Sequence, residues 1–466
     1  MPKKSISEKT SEVTFEPLGA ALPADMVIGK GQFYLLRGTV RWTGKKIERV
    51  SAQLGEAIFP AELFPSSAGQ SDEREIFIKV LCLPEHIGVQ NIHLNVINSA
   101  QSTEQIELGK LTLLESERPH VEPMMAMGDT PLIAICMATY QPEIPSFTRQ
   151  LETILNQSYT NWLLIICDDA SPKADWSEIE ALCALDPRRI RLYRYEENQG
   201  FYHNFERALD YVPDNAELIA FADQDDVWYP DKLQKLVDKL NSEQADLVYS
   251  DMRIVHESGE VLSESYWQGR KNEYRDFDTV FLANTVTGAA SLFKRDLLEV
   301  LLPFPERVGD AFHDHWLACA ALSKGKLAYV DAPLYDYMQY GTSVIGHCDF
   351  VRWSKADRMK SVAKLALRFL KPTSAKTWLG QKLGGGMAIY KGECLRLQIM
   401  ANTLKVRLPD KSGLPTLNLM NGGWASAFKL LKTHLKILKS GRTTDDAEFR
   451  LAMGFIARQY QKKRLP

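Results

Sequence analysis

The amino-acid sequence predicts an α/β protein: a wound, mainly parallel sheet, with an antiparallel β-sandwich before it and a helical region after it. Three observations carry this prediction. Residues 27–118 read as short alternating strands separated by turn signals such as Thr43-Gly44 and Gly69-Gln70-Ser71-Asp72. From Pro131 onward, continuous apolar runs alternate with helical stretches, the pattern of strands buried on both faces. Beyond residue 347, apolar residues recur at helical spacing among lysines.

Each element follows in chain order. Residues 1–25 carry three lysines and little apolar content, and are expected to form a disordered arm. In the sandwich region, Gln32–Leu36, Glu75–Val80 and Asn91–Val96 are the clearest strands. Residues 116–130 read as a linker. The wound sheet, residues 130–347, starts with the run Leu132–Ala138. A helix over about 145–157 leads to Trp162–Cys167, and further strands are Ile190–Tyr195 and Leu218–Phe221. In such sheets ligands bind at the carboxyl ends of the strands. Residues 348–466 form the basic helical region, where Ala425–Lys439 sets Phe428, Leu430, Leu431, Leu435, Ile437 and Leu438 among Lys429, Lys432, Lys436 and Lys439.

The chain has 466 residues, 45% hydrophobic and 25% charged, enough to bury sizeable cores. The net charge of −3 hides an asymmetry: residues 351–466 carry about 24 Lys or Arg against about 6 Asp or Glu. Such a segment is suited to an anionic surface, here read as a membrane, and no nucleic-acid partner is expected. Seven cysteines form neither a Cys-x-x-Cys pair nor a zinc spacing, which fits a reducing compartment. The first 25 residues lack the apolar core of a signal peptide, and no apolar run reaches about 18 residues. The expected location is cytoplasmic, peripheral on the inner face of the plasma membrane.

Three polar clusters follow buried strands: Thr139-Tyr140-Gln141-Pro142-Glu143, Asp168-Asp169-Ala170-Ser171 and Asp223-Gln224-Asp225-Asp226. Parallel strands end on one side, so all three are expected at one edge of the sheet. Three carboxylates within four residues repel one another unless a cation compensates. Magnesium typically binds through one or two carboxylates plus substrate phosphates, and Asp-x-Asp at a strand end suits that task. Asp223 can reach a ribose and Asp225 the metal. The bland alternative is a cap for the helix that Pro230 and Asp231 open.

A fourth cluster is His313-Asp314-His315-Trp316, followed by the apolar helix Leu317–Leu322. A carboxylate at a helix N-terminus sits in a positive field and can accept a proton. A metal site of His313, Asp314 and His315 is disfavoured, because neighbouring helix residues do not face one ion. Asn198, Gly200 and Asn204 lie in and after a turn suited to nucleotide contacts. His347 ends a glycine-punctuated loop that could bring it to the metal.

The order Met137-Ala138-Thr139-Tyr140, Asp168-Asp169-Ala170-Ser171, Asn198-Gln199-Gly200, Asp223-Gln224-Asp225-Asp226-Val227-Trp228 and His313-Asp314-His315-Trp316 resembles glycosyltransferase family 2. It is most like the rhamnosyltransferase-type members of bacterial surface polysaccharide synthesis (O-antigen or capsule). Tyr337–Gly346 resembles their Tyr-Arg-Gln-His-Gly-x-Asn-Val-Ile-Gly loop, with Met338, Tyr340 and Ser343 where that pattern has Arg, His and Asn. The resemblance covers residues 130–347.

The resemblance implies a GT-A type fold and an inverting sugar transfer with Mg2+ or Mn2+. It implies that Thr139, Tyr140, Asp168, Asp169, Asn198, Gly200, Asn204, Asp223 and Gln224 meet the donor nucleotide. Asp225 and His347 would meet the metal, and Asp314 would be the general base. Asp226, Trp228, His313, His315 and Trp316 are expected near donor sugar or acceptor. The donor expected is dTDP-rhamnose, then a UDP-hexose, and the acceptor is a growing, lipid-linked polysaccharide made with partner enzymes. The rivals are a scaffold with a degenerate transferase domain and a metal-dependent nucleotidyltransferase. The latter would want a glycine-rich phosphate loop after the first strand, where Thr139-Tyr140-Gln141-Pro142 stands.

Overall fold

The structure is a computed structural model. It describes residues 12–19, 22–66, 70–115, 121, 123, 130–268, 271–340, 385–411, 418, 420, 422–440 and 446–464. The two N-terminal sheets form a sandwich. One, in the order β1 (Val13–Pro17), β3 (Gln32–Trp42), β7 (Glu73–Cys82) and β6 (Glu62–Pro65), is wholly antiparallel. The other runs β2 (Ala24–Val27), β9 (Thr103–Leu114), β8 (Gly88–Asn98), β4 (Ile47–Leu54) and β5 (Ala57–Pro60), with β2 parallel to β9. Alternate residues face inward, so Leu36, Val40, Ile76 and Ile78 meet Val50, Ala52, Ile92 and Leu94 in one core. The arm expected through residue 25 is corrected here. Val13 is buried, and β1 and β2 extend the edges of the two sheets.

The central sheet has nine strands. Four are parallel, in the order β12 (Ile190–Arg194), β11 (Trp162–Asp168), β10 (Ile133–Thr139) and β13 (Leu218–Ala222). The antiparallel β17 (Ser291–Lys294) joins them to β15 (Leu247–His256), which lies parallel to β18 (Leu327–Gln339). The short β14 (Val227–Trp228) pairs with β18, and β16 (Val261–Ser263) with β15. β11 and β13 are buried at every residue, as their unbroken apolar runs require. Register places Thr139 beside Asp168 and Met137 beside Ala222, so the three strand-end clusters share one edge.

Helix α1 (Ile144–Leu155) follows β10, α2 (Lys173–Cys183) β11, α3 (Gly200–Asp210) β12 and α4 (Lys232–Glu243) β14. Two short helices, α5 (Phe277–Leu282) and α6 (Leu298–Leu301), come before α7 (His313–Lys324). In α7, Leu317 through Ala321 are all buried, as befits a helix apolar on every side.

The C-terminal helices α8 (Leu395–Arg407), α9 (Trp424–Ser440) and α10 (Ala447–Arg464) close the molecule. Much of the basic excess is spent internally. Buried Arg407 donates to the carbonyls of Gly31, Val300 and Leu301, tying sandwich, central sheet region and C-terminus together. Arg458 donates to Leu63 O, and Lys391 and Arg450 pair with Glu75 and Glu393. No helix among the described residues is long and apolar enough to cross a membrane.

Candidate active site

The first strand end is braced by its neighbours. Thr139 Oγ1 donates to Cys167 O at 3.2 Å, and the Asp168 carboxylate accepts from the Ser171 amide at 2.9 Å and from the Ser171 hydroxyl. Asp169 accepts from the amides of Gln199 (2.9 Å) and Gly200 (2.7 Å) at the start of α3, and from Arg207 at 3.0 Å. Gly200 has φ of +79°, which glycine adopts without strain. Asn198 donates to Asp169 O, and Asn204 to Cys167 O. Asp168, Asp169 and Asn204 are each no more than 1% exposed. These polar groups therefore brace the loops at this sheet edge, while Tyr140, 44% exposed, stands at the surface. Gln224 fastens the first cluster to the third, accepting from Tyr140 N at 2.9 Å and donating to Tyr140 O at 3.3 Å.

One face of α1 supports the acidic cluster. The Glu143 carboxylate accepts from Ser146 N at 3.0 Å and so caps the helix. Ser146, Arg149, Gln150 and Thr153 then fall on one side by helical spacing. Gln150 donates to Asp223 O at 3.0 Å, Thr153 Oγ1 accepts from Trp228 N at 3.2 Å, and Ser146 Oγ accepts from Tyr340 at 3.0 Å.

The cluster is electrostatically crowded. Burial, then the fields of Asp225 and Asp314, push Asp223 up to about 7, against the opposing pull of Lys232. Burial raises Asp225 to about 6, opposed by its own backbone amide and by Arg149. Burial and the two neighbouring carboxylates hold Asp226 well above the ordinary range, and both its oxygens lack hydrogen-bond partners. Buried Lys232 faces this cluster. Its ammonium donates to Ala289 O at 2.5 Å and lies 3.6 Å from the Trp228 ring centroid and 4.3 Å from that of Tyr335.

Asp314 sits in the first turn of α7, and its field on Asp223 brings together carboxylates that are far apart in sequence. Burial raises Asp314 to about 7, although the amides of His315, Gly288 and Asp314 itself favour its ionised form. Its Oδ1 is buried without a partner. Beneath it, His313 stacks on Phe205 with ring centroids 3.8 Å apart, and a β-carbon on Gly288 would come within 2.4 Å of His313 Nε2. Burial lowers both His313 and His315 to about 3, so both rings are neutral.

Five side chains expected near sugar lie inside instead. Asp226, Trp228, His313, His315 and Trp316 are each at most 7% exposed. His315 Nε2 lies 3.0 Å from Val280 O, and the Trp316 indole donates to Leu301 O at 3.0 Å. The reason is the inward packing of α7 and the pairing of β14 with β18, neither visible in local sequence. His347 lies outside the described residues. Arg149, Gln150, Lys232 and Gly288 were missed by sequence reasoning; the only local signal was the polar side of α1.

A divalent ion is compatible with this donor set. No group of three or more His, Cys, Asp or Glu among the described residues could hold a metal by itself. Asp225, with Asp223 beside it, instead suits an ion that takes its remaining ligands from substrate phosphates and water.

Residues 134–302 match the sequence profile of Glycosyl transferase family 2. An uncharacterised glycosyltransferase of Methanocaldococcus jannaschii is 24% identical over 200 residues, covering 42% of this chain and 68% of the relative. The UDP-Glc:alpha-D-GlcNAc-diphosphoundecaprenol beta-1,3-glucosyltransferase WfgD of Escherichia coli is 29% identical over 133 residues, 28% of this chain and 50% of the relative. The chain thus spans about two thirds of one relative and half of the other. The crystal structure of S. aureus TarS with UDP-GlcNAc overlaps 72% of this chain and 92% of TarS, at 13% identity and a TM-score of 0.38. At that score the overlap says nothing about chemistry. The family match falls on the sheet that carries the strand-end clusters: residues 134–302 are a glycosyl transferase family 2 domain, built on a mixed sheet whose first four strands are parallel.

Proposed function

We propose that the chain transfers a sugar from a nucleotide-sugar donor to a hydroxyl of a growing polysaccharide, with inversion, and that Asp314 is the general base. The observation that carries this is Asp314 itself: a carboxyl raised to about 7, with one oxygen unpartnered, in the field of the strand-end cluster. A base performs best when its pKa lies near the working pH.

The acceptor oxygen attacks the anomeric carbon as its proton passes to Asp314. The bond from that carbon to the diphosphate oxygen breaks, and the nucleoside diphosphate leaves with the electron pair. Asp225, aided by Asp223, would hold Mg2+ or Mn2+, which when bound neutralises charge on the leaving diphosphate. Asp168, Asp169, Asn198, Gly200, Asn204 and Gln224 hold the loops around the nucleotide, with Thr139 at the strand end and Tyr140 offering its ring.

The similarity to WfgD supports a UDP-hexose, the second of the two expected donors, and a diphospholipid-linked glycan as acceptor. α9 supports a peripheral place on the inner face of the plasma membrane, alongside partner enzymes. On its outer face Phe428 and Leu435 are 66% and 60% exposed, beside exposed Lys429, Lys432 and Lys436. A screen of nucleotide-sugar hydrolysis, with and without EDTA, tests the proposal. Metal-dependent release of nucleotide from one donor is expected. Release from none would favour the scaffold reading.

A further inference from the structure

We propose that Arg149 is the side chain that grips the diphosphate of the donor, an assignment that rests on the transferase reading above. A diphosphate brought to four carboxylates is repelled unless cations meet it. Among the described residues, two cations act on the Asp223-Asp225-Asp226 cluster, Lys232 and Arg149. Lys232 is 1% exposed, with its ammonium spent on Ala289 O between two aromatic rings, so it cannot reach a ligand. Arg149 can. It is half-buried, on the face of α1 whose other members bond Asp223, Trp228 and Tyr340.

Arg149 lies one turn along α1 from Ser146, whose hydroxyl accepts from Tyr340, and its proximity favours the ionised form of the Tyr340 hydroxyl. Arg149 Nε is buried and has no hydrogen-bond partner. A planar fork with an unused N–H, held beside Asp225, suits phosphate oxygens that a carboxylate-bound ion would also touch. The grip would distinguish a nucleoside diphosphate from a monophosphate, and would not depend on the ion.

Calorimetric titration of the full chain with UDP, dTDP, UMP and dTMP, in Mg2+ and in EDTA, tests this. Wild type is expected to prefer a diphosphate over its monophosphate in both conditions. Arg149→Met is expected to weaken diphosphate binding by about 10–100-fold, the size of a lost charge-assisted hydrogen bond, and monophosphate binding less than about twofold. Arg149→Lys, which keeps the charge without the fork, should fall between, and melting curves of both variants check folding. If Arg149→Met or Arg149→Lys bound diphosphates as wild type does, the assignment would be overturned. Equal losses for mono- and diphosphates would overturn it too, by placing Arg149 at base or ribose. Wild type binding none of the four nucleotides would instead remove the transferase reading on which the assignment stands.

Discussion

Replacing Asp314 by asparagine should stabilise the protein while stopping transfer. Burial moves this carboxyl from 3.8 to about 7, so its ionised folded form is disfavoured by on the order of 4 kcal/mol. Residual solvent access and the amide's own need for partners reduce the recoverable part to about 1–3 kcal/mol. For a chain of 466 residues melting as one unit, that corresponds to a rise in Tm of about 1–3 °C at pH 8. The pH dependence carries a sign. Between about pH 4 and 7 the folded wild type keeps a proton that the unfolded chain has released, so its stability falls as pH rises through that window. Asp314→Asn lacks this slope, so the two proteins should melt alike near pH 4 and diverge fully by pH 8. Turnover should fall by about 10²–10⁴-fold, the usual worth of general-base assistance. Donor binding should stay within about threefold. In wild type, turnover should rise with pH through about 7 as the base ionises. Melting curves at both pH values, a pH–rate profile and donor titration check all of this. Near-normal turnover with no gain in Tm at pH 8 would refute both the burial and the role.

Other perturbations follow from the same geometry. Gly288→Ala places a methyl 2.4 Å from His313 Nε2, so it should cost about 1–3 kcal/mol in urea unfolding and lower kcat more than it changes KM. His313→Ala should relieve part of the stability loss. Burial holds Lys232 well below the ordinary lysine range, against the pull of Asp226 and Asp223, so Lys232→Met should cost about 1–3 kcal/mol, partly recovered in the double variant with Asp226→Asn. Equal stability of Lys232→Met and wild type would show that Lys232 does not compensate the cluster. Phe428→Ser with Leu435→Ser should reduce sedimentation with anionic vesicles, and added salt should weaken what remains; an unchanged bound fraction would count against α9 as the docking face. Binding of Mg2+ or Mn2+ should release protons at pH 6.5, measured in buffers of different ionisation enthalpy, because Asp223 and Asp225 share protons near that pH.

The central fold was legible because parallel strands announce themselves. Leu132–Ala138 and Trp162–Cys167 are apolar at every position, and only a sheet covered on both faces asks for that. Strand direction then brought Thr139, Asp168 and Asp223 to one edge without further information. What was illegible depended on distant chain. Lys232 follows Pro230-Asp231 at the start of a helix and reads as a solvated residue. Its burial is set by Ala289 and Tyr335, remote in sequence. Trp228 and Trp316 look like sugar platforms beside acidic motifs, yet β18 and the carbonyl of Leu301 take them inward. The basic C-terminus read as a segment facing an anionic surface, but Arg407 and Arg458 are buried fasteners, and among the described residues exposed cations stand on both α9 (Lys429, Lys432, Lys436) and α10 (Lys462, Lys463).

The same residues that make the site costly make it selective. Among the described residues, Asp223, Asp225, Asp226 and Asp314 are opposed by Lys232 and Arg149, a nominal charge of −2 at full ionisation. Burial, reinforced at Asp223 by the fields of Asp225 and Asp314, is why these carboxyls titrate near neutrality rather than near 4. A bare diphosphate does not relieve that charge, and a lone cation relieves it without engaging Arg149. A divalent ion carrying a diphosphate would do both, and its arrival would lower the pKa of the carboxyls around it. Asp314, whose charge acts on Asp223, would then ionise more readily when donor is in place. On the proposed mechanism, the crowded carboxylates would tie readiness of the base to occupancy of the donor site, with one sheet edge and one helix start supplying both.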